Sequence, residues 1–236
     1  MVPAGRATEG VIGLAAHEVK TAATSVRGYA QLLLRQLDRT GSVDTDRLHR
    51  AMRTIEQQAE HIGRLMDQLL DVGRIDAGTF TLRRAPVDLS QLLRDALQAP
   101  RRRAGRHELR LDLPAAPVVA DVDEHRLQEA LANLLDNALK FGPPTTPIDV
   151  TLRAVPVDTI TITVADRGPG VPGEHRDRLF ERFFQLHGEG FQAGMGLGLY
   201  LSREIVRRHG GDITADFPPQ GGATFTITLP HHTKID

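Results

Sequence analysis

Residues 12–37 read IGLAAHEVKTAATSVRGYAQLLLRQL. Their apolar members recur at three- and four-residue steps: Ile12, Ala15, Val19, Ala22, Val26, Ala30, Leu33 and Leu37. That spacing is a narrow stripe along one α-helix. Arg39 to Val43, with Gly41, predict a short turn, and Asp44 is placed to cap a second helix. The stripe resumes at Leu48, Met52, Ile55, Ala59, Ile62, Met66 and Leu69. Two long helices joined by a short turn form an antiparallel hairpin. Each stripe is near a heptad and has little apolar surface beside it. A hairpin of this kind has too small a core alone, so two copies are expected to close a four-helix bundle. A symmetric homodimer is the simplest closed arrangement.

Outward from the hairpin the pattern changes. Gly73 to Gly78 interrupts the stripe and predicts a linker. Beyond it, Phe80–Leu82, Leu109–Leu113, Ile148–Leu152, Ile160–Val164 and Phe225–Leu229 alternate like strands. Helical stretches intervene at Leu89–Leu97, Glu124–Leu139 and Leu197–Arg208, the second stopped by Pro143-Pro144 and the third by Gly210-Gly211. Interleaved strands and helices of this length predict a two-layer α/β domain with its own core. The expected division is a helical hairpin over residues 8–75 and an α/β domain over residues 80–231. No internal repeat or long low-complexity segment is present.

Composition narrows the function. The formal net charge is -1, so no overall basic field attracts nucleic acid. The local run Arg101, Arg102, Arg103 and Arg106 reads as a solvated helix end or loop. Aromatic residues are 4% with no Trp, which argues against base-stacking platforms. The absence of Cys excludes thiolate catalysis and Cys-ligated zinc, and fits a reducing compartment. No apolar run approaches ~20 residues, so no membrane contact is expected from this chain itself. Met1 to Gly10 lacks the apolar core of a signal peptide. A cytoplasmic location is expected, with a membrane anchor elsewhere in the parent protein if this chain is a fragment.

Within the first helix, Ala16-His17-Glu18-Val19-Lys20-Thr21 carries chemistry. His17 lies off the stripe, on a polar flank with Gly13, Lys20, Thr21, Thr24 and Gly28. A solvated surface histidine is the plain alternative. Exposure also suits a group that must enter another domain's active site. Imidazole is a nucleophile near neutral pH, and the adjacent Glu18 can accept a proton from one ring nitrogen while the other attacks. Thr21 stands where a zinc-binding His-Glu-x-x-His pattern needs its second histidine.

Four blocks in the α/β part point to a nucleotide. Asn133, Asn137 and Lys140 fall on one face of a helix. An Asn oxygen suits Mg²⁺ when triphosphate oxygens fill most of the shell. Lys140 can neutralise phosphate and Phe141 can lie against a base, although a helix with a polar solvent face has the same pattern. Asp166 follows a strand and precedes Gly168 and Gly170. Its carboxylate can accept a hydrogen bond from an adenine amino group, and the glycines let the backbone come close. Gly194, Gly196, Gly198 and Leu199 lie at the opening of the helix that begins near Leu197, where bare N–H groups bind phosphate. The spacing fits neither a Rossmann fingerprint nor a Walker loop. Phe180, Phe183 and Phe184 read as core anchors, and Gln185–Ala193 as a lid. Thr224, after Gly221-Gly222, offers a hydroxyl at the phosphates or an ordinary strand position.

In their order and type these blocks resemble the catalytic core of bacterial two-component sensor histidine kinases, over nearly the whole chain. His17–Leu34 is similar to the phosphoacceptor helix with its H box, and Asn133–Phe141 to the N box. Asp166–Gly170 and Gly194–Gly198 are similar to the glycine boxes, with Phe180–Phe184 as the F box. The resemblance implies a dimeric four-helix bundle followed by a Bergerat-type ATP-binding α/β sandwich. It implies ATP and Mg²⁺ as cofactors, His17 as phosphoacceptor, Glu18 as its base, Asn137 as metal ligand and Asp166 as adenine reader. It also implies a response-regulator receiver domain as partner, and a phosphatase role for Thr21 toward it. Gyrase-type ATPases place a water-activating Glu where this chain has Asn133. The family usually has Pro at the position of Ala22, Ser at that of Ala16, and Arg or Lys at that of Gln185. The helix is nevertheless expected to keep its bend at Ala22, so that a proline there costs little. The reading is an ATP-dependent protein-histidine kinase. A degenerate ATP-binding scaffold and a gyrase-like ATPase are the alternatives.

Overall fold

The computed structural model describes residues 4–103, 107–155, 159–186 and 195–231. The chain divides into two units, Met1–Thr79 and Phe80–Asp236.

In the first unit, helix α1 (Ala4–Thr40) and helix α2 (Thr45–Asp76) make the hairpin. The turn is possible because Gly41 adopts φ +71°, a conformation costly for other residues. Asp44 caps α2, its carboxylate accepting from the Arg47 N–H at 2.9 Å. The expected break at Gly73 does not occur. A lone helical glycine costs only about 1 kcal/mol, and α2 runs through it to Asp76. The chain leaves the helix at Gly78, with φ +68°. Little of the stripe is covered. Of the stripe's described members only Ala22 is buried, and Leu37, Leu48, Met52 and Met66 are exposed; α2 instead buries Ala51, Leu65 and Val72, which lie beside the stripe expected from the sequence. Tyr29, Leu32, Leu34 and Leu70 add to this apolar surface.

The second unit begins with an extended strap, residues 80–84, where a strand at Phe80–Leu82 was expected. Strand β1 (Ala85–Asp88) starts only after it and pairs antiparallel with β3 (Val119–Val122). Between them lie α3 (Leu89–Ala96), α4 (Gln98–Arg103) and β2 (Glu108–Asp112). Then come α5 (Glu124–Phe141), β4 (Pro147–Val155), β5 (Thr159–Ala165), a 3₁₀ turn (Gly173–Arg178), α6 (Gly198–Arg208), β6 (Asp212–Asp216) and β7 (Thr224–Pro230). The main sheet has the order β2-β4-β5-β7-β6, with β2 and β4 parallel and the other neighbours antiparallel. Alternation along β5 and β7 buries Ile160, Ile162, Val164, Phe225, Ile227 and Leu229. Leu127, Leu131, Leu134, Leu135 and Ala138 of α5 fill the same core, with Leu92 and Leu93 of α3 and Val206 of α6. One helical layer on the five-stranded sheet is the arrangement expected from the interleaved pattern, with the β1–β3 pair as a second, smaller sheet. It sets α5 beside α6, with the ends of β5 and β7 opening into the glycine-rich turns.

Candidate active site

In the hairpin, His17 is exposed and Glu18 half-buried on adjacent positions of α1. The Thr21 hydroxyl donates to the His17 carbonyl at 2.9 Å, and the Thr24 hydroxyl to that of Lys20 at 2.7 Å. Such bonds one turn back compete with the helix ladder and loosen it locally. His61 of α2 feels the Glu18 charge, which places the two in one electrostatic neighbourhood. Burial, then Arg64, holds the His61 ring below the ordinary imidazole value, while Glu18 opposes them. Sequence spacing does not pick out His61, since it sits on another helix.

In the α/β unit the central residue is Asp166, 7% exposed at the end of β5. One of its carboxylate oxygens accepts from the Gly168 N–H at 2.7 Å and from the Ala223 N–H at 3.3 Å. Burial raises its pKa above the usual carboxylate value, against these two N–H groups and Arg167, which lower it. The Gly222 N–H donates to the Gly168 carbonyl at 2.7 Å, so the start of β7 braces the loop. A Cβ on Gly222 would lie 2.4 Å from the Asp166 carbonyl oxygen, and one on Gly168 would lie 2.8 Å from that of Phe141. Glycine is therefore required at both positions for steric reasons. Gly170 has φ +70° and faces the Gly222 carbonyl. The loop Asp166–Gly170 thus lies against the end of α5 on one side and the start of β7 on the other.

Along α5, Asn133, Asn137, Lys140 and Phe141 are half-buried. The Asn133 amide donates to the Gly198 carbonyl at 3.4 Å and to the Ser202 hydroxyl at 3.3 Å. Ser202 itself donates to the Gly198 carbonyl at 2.8 Å. Asn133 therefore ties α5 to the first turn of α6. Asn137 has no hydrogen-bond partner among the described residues, which leaves its amide oxygen available to a ligand. The Lys140 ammonium lies 5.0 Å from the centre of the Phe141 ring.

At α6, Gly198 and Leu199 open the helix, and no side chain caps its N-terminal N–H groups. Gly196 has φ +66°, and a Cβ there would lie 2.5 Å from the Phe184 carbonyl oxygen. Its own carbonyl accepts from the Phe183 N–H at 2.9 Å, and Phe183 has φ +62°. A phenylalanine in this region stores strain of about 1–3 kcal/mol, held by the loop it grips. Phe180 packs on the core as expected, under the Arg203 guanidinium at 4.7 Å. Phe184 instead lies beside Arg178 and His175. Gly194 and most of the expected lid lie outside the described residues. Thr224 is half-buried and paired in register with Ala165 and Asp216, an ordinary strand position beside Ala223. Helix α5 thus meets the Asp166–Gly170 loop through Phe141 and the start of α6 through Asn133. Motif spacing does not reveal Gly222, Ala223 and Ser202 as supports, because each acts through contacts with residues distant in the chain.

Comparison with known proteins gives the class. Residues 10–78 match the His Kinase A (phospho-acceptor) domain. Residues 122–233 match the histidine kinase-, DNA gyrase B-, and HSP90-like ATPase. The chain belongs to the two-component sensor histidine kinases, and its two units are that family's phosphoacceptor and ATP-binding domains. The probable sensor histidine kinase TcrY of Mycobacterium tuberculosis (strain ATCC 25618 / H37Rv) is 36% identical over 218 residues, 92% of this chain and 44% of TcrY. Sensor protein KdpD of Escherichia coli (strain K12) is 33% identical over 217 residues, 92% of this chain and 24% of KdpD. Among solved structures, a mycobacterial sensor histidine kinase MprB aligns with TM-score 0.57 and 31% identity, over 63% of this chain and 97% of that one. Histidine kinase AdeS of Acinetobacter baumannii shares the fold, with TM-score 0.67 and 22% identity over 92% of this chain and 98% of that one. The chain spans less than half the length of the curated relatives it matches. The scaffold alternative finds no support here, and the phospho-acceptor match separates the chain from gyrase-type ATPases. No helix among the described residues is long and apolar enough to cross a membrane.

Proposed function

We propose that this chain transfers the γ-phosphoryl group of ATP to His17 and passes it on to an aspartate of a response-regulator receiver domain. The observation that carries this reading is the buried Asp166 carboxylate, held by main-chain N–H groups in a glycine-lined loop that packs against the end of α5 and the start of β7. An acceptor-only group fixed in this way reads an adenine amino group. Phosphates would lie toward the α6 N–H groups and Gly196, with Lys140 nearby. The open amide oxygen of Asn137 fits a Mg²⁺ ligand, and the bound ion would neutralise charge across the phosphates. Asn133 supports the site through Gly198 and Ser202.

A ring nitrogen of His17 attacks the γ-phosphorus. An N–P bond forms as the P–O bond to ADP breaks, and ADP leaves with the electron pair. The proton on the other ring nitrogen passes to Glu18. Thr21, whose hydroxyl lies one turn from His17, is the residue proposed for the reverse duty of dephosphorylating the regulator. Four relatives carry the name signal transduction histidine-protein kinase/phosphatase MprB. The exposed leucines and methionines of the hairpin support pairing with a second copy.

The deciding experiment compares the chain with its His17→Ala variant after incubation with radiolabelled ATP. Label on the wild type that survives base and is lost in acid, and no label on the variant, is the expected result. Covalent label retained by His17→Ala would move the acceptor elsewhere.

A further inference from the structure

Phe80 is the first residue of the second unit, and its ring is 8% exposed. The guanidinium groups of Arg126 and Arg208 lie 4.7 and 5.3 Å from its centre. Further along the strap, the Arg83 N–H donates to the Asp123 carboxylate at 2.7 Å, and the Arg84 guanidinium donates to the Arg208 carbonyl. Asp123 also caps α5 by accepting from the Arg126 N–H at 3.1 Å. Behind Asp123 stands His209, 2% exposed at the end of α6. Its Nε2 accepts from the Asp123 N–H at 2.9 Å, and its Nδ1 donates to the Ile205 carbonyl at 2.9 Å. The acceptor role of Nε2 requires a neutral ring with its proton on Nδ1.

We propose that His209 is a positioning residue that latches the strap to the ATP-binding unit through Asp123, and that protonation of its ring opens the latch. A proton on Nε2 would point at the Asp123 N–H, replacing an acceptor by a second donor. The Asp123 main chain would then have to move, and with it the carboxylate that holds both Arg83 and the first turn of α5.

The charges around the ring are Arg84 of the strap, Asp121 of β3 and Asp123 at the head of α5, with Arg126 and Arg208 flanking Phe80. Burial lowers the His209 pKa below the ordinary imidazole value. The Ile205 carbonyl opposes this, Arg84 adds to it, and Asp123 and Asp121 oppose it. The contribution of the latch is therefore complete above the ordinary imidazole value and is lost as pH falls through the lowered one.

The test uses the full chain carrying Phe80→Trp, its only tryptophan. Acrylamide quenching of that residue is followed from about pH 8 to about pH 5, while nitrogen NMR of the imidazole rings tracks His209 in the same solutions. Quenching is expected to rise at least about threefold in acid, at the same midpoint as His209 and with the far-UV circular dichroism unchanged. In the background His209→Gln the acid rise should vanish, because the amide can accept from Asp123 and donate to Ile205 without titrating. Flat quenching, a midpoint more than about half a pH unit from that of His209, or a rise that persists with Gln would overturn the latch. If the Gln variant does not fold, the two midpoints in the wild-type background decide alone.

Discussion

At Asp166 a single oxygen takes two main-chain N–H groups, one from its own loop and one from the head of β7. An Asn there can keep both bonds through its amide oxygen and present NH₂ where an adenine amino group would sit. Asp166→Asn is therefore expected to weaken ATP by about 1–3 kcal/mol, with folding intact, as read by calorimetry and thermal melting. Unchanged affinity would remove Asp166 from the base pocket. The raised pKa gives a pH signature with two opposite signs. As pH falls through it, the carboxyl gains a proton and ATP binding weakens. The folding contribution of the same group is fully present below its unfolded pKa and is lost as pH rises through the folded one. Asn137→Ala should lower Mg²⁺-dependent autophosphorylation by about ten- to hundredfold with little effect on melting, since its amide bonds to nothing else among the described residues. Full Mg²⁺-dependent turnover would show that the metal is held elsewhere. Asp166, Asn137 and the glycines were legible because their residue types and local spacing carry the chemistry. Ala223, 57 residues beyond Asp166, and Ser202, which receives Asn133, were not, because spacing along the chain does not reveal contacts formed by folding.

In helix α1 the burial of Ala22 weighs against a local expectation. Ala22 is 2% exposed, and the helix runs unbroken through it from Ala4 to Thr40. A proline there would remove the hydrogen bond to the Glu18 carbonyl and press its ring against that carbonyl. Ala22→Pro is therefore expected to cost about 3 kcal/mol or more, contrary to the small cost anticipated from sequence. Melting temperature and autophosphorylation rate, measured together, check this; unchanged melting with a faster rate would restore the bent helix. The same lesson applies to the strap. Phe80 and Leu82 alternate like a strand, but Phe80 is buried between two arginines and not in a ladder. Strands β1, β3 and β6 are not legible in the sequence because they are short and interrupted by Pro86, Asp121 and the flanking Asp212 and Asp216. The long strands β5 and β7 are legible because their alternation is sustained over seven residues each.

At the scale of the molecule the two units differ in how complete they are. The ATP-binding unit closes a core of fully buried leucines, isoleucines and valines, whereas eight large apolar residues among those described in the hairpin remain open to solvent. Each such side chain gains about 1.5–3 kcal/mol if fully covered. Residues 1–79 alone are expected to form a helical dimer, and residues 80–236 a monomer that binds ATP, both measured by light scattering and calorimetry. A monomeric hairpin would contradict the bundle. The open stripe also has a history, since the hairpin precedes the ATP-binding unit in the chain and leaves the ribosome first. During the synthesis of more than 150 further residues, its apolar face is presented while the ATP-binding unit does not yet exist. The nearest matching face belongs to the chain growing on the neighbouring ribosome of the same message. With the hairpin pairing as proposed, order of birth would favour dimers of sibling chains over mixed dimers with related kinases, even where the stripes themselves are too plain to tell one partner from another.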